Sequence, residues 1–249
     1  MPALLAVIPH PDDEAYSFAG TIALAARAGW RCLVHCATDG ELGERHDGRA
    51  AEPETLGPDR AAELAASCAI LGADAPVHWG LPDGGLAGIA SQAGRIRATL
   101  DDLRPALVLS LGADGAYGHP DHLAVYRWVR EAWESLPGER PPLLFAAFPP
   151  GLFVPQYEKC VASGIMGDPP RLRPAGIGAA PAHYALDVSS VRPLKKRSIA
   201  SHRTQLPGGR AEALFPAAIV SALLATERFT DARGERGPAV AATLARFAP

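Results

Sequence analysis

Apolar residues gather in short unbroken runs, separated by longer stretches in which they recur every third or fourth position. Leu4–Ile8 is a continuous apolar run, the mark of a strand covered on both faces within a parallel sheet. A helical stretch follows to about Ala28 and stops at Gly29, and Cys32–Ala37 reads as a second strand. The alternation repeats. The pattern predicts a helix over Asp59–Leu71, with Pro58 in its first turn and Gly72 closing it. A short strand at Val77–Trp79, a helix over Ser91–Leu103 and a buried strand at Ala106–Leu111 come next. Then follow a helix over Pro120–Glu134 and a strand at Leu143–Phe148. Residues 149–182 are rich in Pro and Gly and show no clear period. A late strand at His183–Val188 precedes helices near Pro193–His202 and Glu212–Leu224. Strands alternating with helices predict an α/β fold, a single Rossmann-like, doubly wound, mainly parallel sheet flanked by helices. No repeat, charge tract or linker-like composition divides the chain, so 1–249 reads as one domain.

Composition narrows the function classes. With 48% hydrophobic and 20% charged residues the chain is neither disordered nor fibrous. A net charge of −3 offers no electrostatic footprint for nucleic acid. Cys32, Cys36, Cys68 and Cys160 are too few and too scattered for a disulfide scaffold, and Cys32 and Cys36 share one face of a strand as buried thiols. The first residues lack a signal peptide's basic start, and their apolar run is too short to span a bilayer. A cytoplasmic protein with no membrane partner is the expectation. Neither G-x-S-x-G, G-x-x-x-x-G-K nor G-x-G-x-x-G occurs, which disfavours a serine hydrolase or a nucleotide-binding protein.

The polar clusters His10–Glu14, Thr38–Arg45, Asp83 and Tyr117–His122 all fall at the carboxyl ends of predicted strands, where such sheets bind ligands. Residues 39–58 form a long polar connection carrying Glu41, Glu44, Arg45, His46, Asp47 and Arg49, which suggests a functional loop or a lid. Three adjacent acids, Asp12-Asp13-Glu14, repel one another unless a cation or a helix N-terminus is near. Read alone, the same string is equally an acidic cap, with Asp12 or Asp13 at the N-cap and Glu14 in the first turn. Tyr117-Gly118-His119-Pro120-Asp121-His122 alone reads as a Gly-rich turn with Pro at a helix start. Together the two strings offer two imidazoles and a carboxylate, a common zinc donor set that leaves an open position, and His10, Asp13 and His122 could supply it. A metal-dependent phosphoesterase and a non-catalytic carbohydrate- or metal-binding module both stay open on this inventory.

Both strings resemble the signature motifs of the LmbE/PIG-L family of zinc-dependent N-acetylglucosaminyl deacetylases, which includes enzymes of the mycothiol and bacillithiol pathways. The first has the form A/P-H-P-D-D-E and the second H-P-D-H. Supporting similarity lies in Thr38-Asp39-Gly40-Glu41-Leu42-Gly43, Arg60-Ala61-Ala62-Glu63-Leu64, Leu81-Pro82-Asp83-Gly84 and Ser201-His202-Arg203-Thr204-Gln205. The resemblance implies zinc ligands His10, Asp13 and His122, with Fe(II) able to use the same three, and Asp12 as general base. It implies that a protonated His119 and the Tyr117 hydroxyl steady the tetrahedral intermediate, and that Asp121 holds a ligand imidazole. Arg60, Asp83 and Arg45 are the expected substrate contacts. His202 matches a position near the site entrance, with a structural role as the equal alternative. The implied reaction removes an N-acetyl group from an N-acetylglucosamine-type conjugate, with a different small amide as the alternative substrate. Related enzymes often form homo-oligomers, for which the apolar, Pro-rich 143–182 region is the candidate interface.

Overall fold

The computed structural model describes residues 1–164, 166, 182–213 and 217–247. Among these, seven strands form one sheet: β1 (Ala3–Ile8), β2 (Arg31–Cys36), β3 (Val77–His78), β4 (Leu107–Ser110), β5 (Leu143–Ala146), β6 (Tyr184–Asp187) and β7 (Thr226–Asp231). Their order is β3-β2-β1-β4-β5-β7-β6. The first five are parallel, whereas β7 runs antiparallel to both β5 and β6. The mainly parallel expectation holds, with an antiparallel extension on one side.

The helices are α1 (Asp13–Ser17), α2 (Ala19–Arg27), α3 (Pro53–Leu71), α4 (Ala93–Leu103), α5 (Gly115–Gly118), α6 (Pro120–Glu134), α7 (Val154–Ala162), α8 (Arg192–Ser201), α9 (Ala217–Ala225) and α10 (Pro238–Ala245). Helices on both faces explain the unbroken apolar run of β1. Leu4, Ala6 and Ile8 join a core with Ile22 of α2, Leu64 of α3 and Ile199 of α8. Leu5 and Val7 point the other way, to Ile96 of α4 and Val125 of α6. Each fully buried Leu or Ile contributes about 1.5–3 kcal/mol, so this central strand anchors both layers. Cys32 and Cys36 are buried thiols as expected, and Cys68 is buried too.

Four departures from the sequence reading have physical causes. The helix expected to run unbroken to Ala28 is two helices, parted at Phe18 (φ −136). The orphan N–H groups of Gly20 and Thr21 at the start of α2 are taken by the buried Glu227 carboxylate at 2.7 and 2.8 Å. Second, α3 opens at Pro53 and runs through Pro58, which shortens the loop before it. The ring costs only the bond to the carbonyl of Glu54, itself exposed in the first turn where water serves it. Third, β7 went unseen because its buried positions are Glu227, Phe229 and Asp231, an inward face with two acids. Finally, α7 forms within the stretch that shows no period, and the rest of 165–181, apart from Met166, lies outside the described residues.

The chain leaves β1 toward β2 on one side, while β4 pairs with β1 on the other and leads on to β5. The strand order therefore reverses between β1 and β4, which opens a crevice at their carboxyl ends. His10–Asp13 follow β1 and Gly115–His122 follow β4, so both motifs meet there.

Candidate metal centre and active-site cavity

His10 Nδ1 and His122 Nε2 face each other at 3.1 Å. The Asp13 carboxylate lies 3.6 Å from the first nitrogen and 3.7 Å from the second. The other nitrogen of each ring decides its tautomer. His122 Nδ1 lies 3.0 Å from the Gly115 carbonyl, which can only accept, so the Nδ1–H donates and Nε2 carries a lone pair. His10 Nε2 faces Asp83 Oδ1 at 3.1 Å and Asp121 Oδ2 at 3.4 Å without hydrogen-bond alignment to either; in the neutral ring a proton on that side leaves the Nδ1 lone pair turned inward. Two such nitrogens repel each other without a cation between them. Zn–N bonds of about 2.0–2.1 Å at tetrahedral angles separate two nitrogens by about 3.3 Å, close to the spacing found. Burial opposes a charge on His10, yet Asp121, Asp13 and Asp83 outweigh it and hold the imidazole well above its ordinary range. For Asp13, burial is outweighed by His122 and His10, which hold the carboxyl low. The cluster is built to contain positive charge.

His119 also brings a ring nitrogen into this group, within 4.8 Å of one nitrogen each of His10 and His122. Its Nδ1, however, accepts the Asp121 N–H at 3.2 Å and so caps α6. That leaves a hydrogen on Nε2, so Asp13 rather than His119 is the third candidate donor. The same bond corrects the expectation of a protonated His119. Burial, with His10 and His122 adding to it, pushes the imidazole far below its ordinary range. The Tyr117 ring stands edge-on to His119 and His122, with centroids 5.8 and 5.1 Å apart.

Asp12 sits at the N-cap position of α1 but makes no capping bond with its side chain, so the cap reading fails for it. Its φ of 115 lies in the left-handed region that disfavours a non-glycine residue, a strain of order 1–3 kcal/mol that the surroundings must hold. Asp13 already occupies the first helical turn, so the two neighbouring carboxylates diverge. Burial pushes the Asp12 carboxyl upward, helped by Asp13 and Glu14 and opposed by Arg60 and His202. Glu14 Oε2 accepts the Asp12 N–H at 3.1 Å, a capping contact made from within the helix.

Of the three expected substrate contacts, Arg60 and Asp83 line the cavity and Arg45 does not. Arg60 is buried; its Nη1 and Nη2 donate to the carbonyls of Gly40 at 2.8 Å and Pro11 at 2.6 Å, and Nη2 lies 3.4 Å from Asp12 Oδ2. It braces the Asp12 segment. Gly40 permits the approach: its φ is +67 and a Cβ there would stand 2.3 Å from the guanidinium. Asp83 accepts the Leu42 N–H at 2.9 Å with one oxygen and faces His10 with the other, so it steadies the imidazole and the 39–52 loop. Arg45 does not reach the cavity. Its guanidinium is tied to Asp47 at 2.6 Å and to Asp59 at 2.7 Å. Asp121 is wholly buried, takes the Gly84 and Leu86 N–H groups at 2.8 and 2.9 Å, and serves His10 rather than His122. His202 is buried against Glu14 at 2.7 Å and stands at no entrance.

The three candidate donors, with Asp12, Arg60, Asp83, Tyr117 and His119, open onto a cavity of about 600 Å³. The loop contributes Leu42, Gly43, Glu44 and His46, pinned by bonds from His46 N–H to the Thr204 carbonyl (2.7 Å) and from Gln205 Nε2 to the Glu44 carbonyl (2.9 Å). It is a fixed wall rather than a free lid. The opposite wall is α7 and its approach, with Phe153, Gln156, Lys159, Cys160 and Ser163 facing inward. Their three- and four-residue spacing is the helical signal that the Pro/Gly background hid. These residues belong to the region named as a candidate subunit interface, and they line the cavity. Lys159 reaches across to pair with Glu44, joining the two walls.

Comparison with known proteins agrees with this geometry. The PIG-L family, described as GlcNAc-PI de-N-acetylase, matches residues 5–133. A 1D-myo-inositol 2-acetamido-2-deoxy-alpha-D-glucopyranoside deacetylase of Mycolicibacterium gilvum (strain PYR-GCK) is 30% identical, over 95% of this chain and 93% of its own. The enzyme of the same name from Mycobacterium sp. (strain KMS) is 39% identical over 54% of this chain and 51% of its own, so that match spans about half the relative's length. Among solved structures, the conserved protein TT1542 from Thermus thermophilus superposes with a TM-score of 0.62 at 25% identity, covering 93% of this chain and 94% of that one. The N,N'-diacetylchitobiose deacetylase from Pyrococcus horikoshii shares the fold, with a TM-score of 0.60 at 20% identity over 96% of this chain and 84% of its own. With both motifs converging at the β1–β4 crevice and the family matched over more than half its length, the chain belongs to the PIG-L family of deacetylases.

Proposed function

We propose that this protein hydrolyses the N-acetyl group of a 2-acetamido-2-deoxyglucoside, using a divalent metal, zinc or Fe(II), held by His10, Asp13 and His122. The observation that carries the reading is the pair of imidazole nitrogens that face each other 3.1 Å apart beside the Asp13 carboxylate. The curated relatives are named for deacetylation of an inositol glycoside of this kind. Among the described residues no helix is long and apolar enough to cross a membrane, and the substrate proposed is a small amino-sugar conjugate.

A divalent cation at this position supplies a water of lowered pKa and positive charge for a developing oxyanion. Asp12 lines the cavity beside these ligands and outside the donor set, placed to take the water's proton on a carboxylate oxygen and return it to the leaving amine. Arg60 fixes the Pro11 carbonyl, and with it the backbone that aims Asp12. His119 Nε2–H and the Tyr117 hydroxyl act as neutral donors to the carbonyl oxygen as its charge grows. Asp83 and Asp121 keep His10, and Gly115 keeps His122, in the tautomers that leave the inner nitrogens free.

The test is to strip the protein with a chelator, reload portions with zinc or Fe(II), and incubate each with the inositol glycoside of N-acetylglucosamine. Free amine and acetate are read by mass spectrometry. Equimolar amine and acetate from the reloaded protein alone is the expected result; an unchanged glycoside under both metals overturns the reading.

A further inference from the structure

Glu14 and His202 are fully buried beside the site, yet neither lines the cavity. Glu14 Oε2 accepts the N–H of Asp12 at 3.1 Å. Glu14 Oε1 accepts the Ser67 hydroxyl at 2.5 Å and the His202 Nε2–H at 2.7 Å. Ser67 Oγ in turn lies 2.7 Å from Ser198 Oγ, so one carboxylate binds the start of α1 to both α3 and the end of α8. The polar contact of His202 goes to Glu14, and its Nδ1 is buried with no hydrogen-bond partner among the described residues.

A buried carboxylate and imidazole are a poor way to fill a core, since an apolar pair of equal volume packs without desolvating charge. What an apolar pair cannot do is accept the Asp12 N–H. That bond matters because Asp12 is held at φ 115, and α1 itself holds only its carbonyl, through the N–H groups of Ala15 and Tyr16, leaving the N–H to Glu14. A group that must accept a proton at one place cannot be free to leave that conformation.

We propose that Glu14 and His202 form a positioning pair for Asp12: Glu14 fixes the Asp12 backbone N–H, and His202, with Ser67, fixes Glu14. The inference rests on reading Asp12 as the proton acceptor. Arg60 holds the preceding carbonyl, so the strained residue is clamped through the peptide bond that precedes it, at both the carbonyl and the N–H.

The test is a double-mutant cycle between His202 and Asp12, assayed on the inositol glycoside with metal content and melting temperature measured on every preparation. His202→Ala should lower kcat by roughly 10²-fold, the cost of a small misplacement. KM and metal content should hold, and His202→Gln, which keeps a donor at the same reach, should restore most of the rate. In an Asp12→Asn background, His202→Ala should change kcat little, because the residue it positions no longer accepts a proton. Two losses that multiply, or a His202→Ala protein with lowered melting temperature and normal kcat, would overturn the positioning role alone. An Asp12→Asn protein with wild-type kcat would overturn the reading of Asp12 itself, and the pair with it.

Discussion

Lys195 Nζ lies 2.6 Å from Glu227 Oε1, and their side chains are 0% and 2% exposed. The pair joins α8 to β7, and the same carboxylate serves the first N–H groups of α2 and the Thr21 hydroxyl at 2.6 Å. Lys195 completes its own shell on the Tyr16 carbonyl at 3.0 Å. Removing one member strands a buried charge, which typically costs about 3–5 kcal/mol. Lys195→Met should lose that much in urea unfolding, while turnover per folded molecule stays near normal because the pair does not touch the cavity. A loss under about 1 kcal/mol would show that the carboxylate is satisfied by its backbone donors alone.

The metal site predicts two graded losses. His122→Ala removes a donor and should drop bound metal far below one equivalent per chain, read by elemental analysis. Asp83→Asn keeps all three donors but replaces the carboxylate nearest His10 Nε2. It should weaken metal affinity by about 10–100-fold without abolishing it. Equal affinity in Asp83→Asn and wild type would assign the tautomer of His10 to Asp121 alone.

Asp12→Asn is nearly isosteric and leaves the backbone contacts of Glu14 and Arg60 available. It should retain metal and melting temperature and lose about 10²–10⁴-fold in kcat. Because the side chain makes no capping bond, no stability change from lost capping is expected. Near-normal turnover at full metal loading would require a different base.

His119 does two things that a pair of substitutions separates. Its Nδ1 caps α6, and in the proposed reaction its Nε2–H donates to the carbonyl oxygen. Asn caps helices well, so His119→Asn should keep the melting temperature and lose roughly 10²–10³-fold in kcat, the usual cost of one oxyanion donor. His119→Ala should add a stability loss of about 1 kcal/mol. Normal turnover in His119→Asn would confine the residue to capping.

The sequence by itself determined the parallel half of the sheet, because a strand buried on both faces must be apolar throughout, as Leu4–Ile8 is. It also determined that His10, Asp12, Asp13, Tyr117, His119 and His122 share one site, since strand ends in a doubly wound sheet converge. Only the tertiary structure decided what each neighbour does. Arg60, Asp83 and Arg45 all read as ligand-facing charges, but nothing in their local spacing shows that Arg60 lines the cavity while holding the carbonyls of Pro11 and Gly40, or that Arg45 is turned to Asp59 of another segment as well as to Asp47. The proton on His119 belongs to this class too, decided by a helix terminus folded against its ring. Likewise β7 was illegible because Glu227 and Asp231 fill inward positions that local pattern reserves for apolar residues. A buried acid is stable only once a distant lysine or a row of amide hydrogens has been brought to it, and that is settled by packing, not by periodicity.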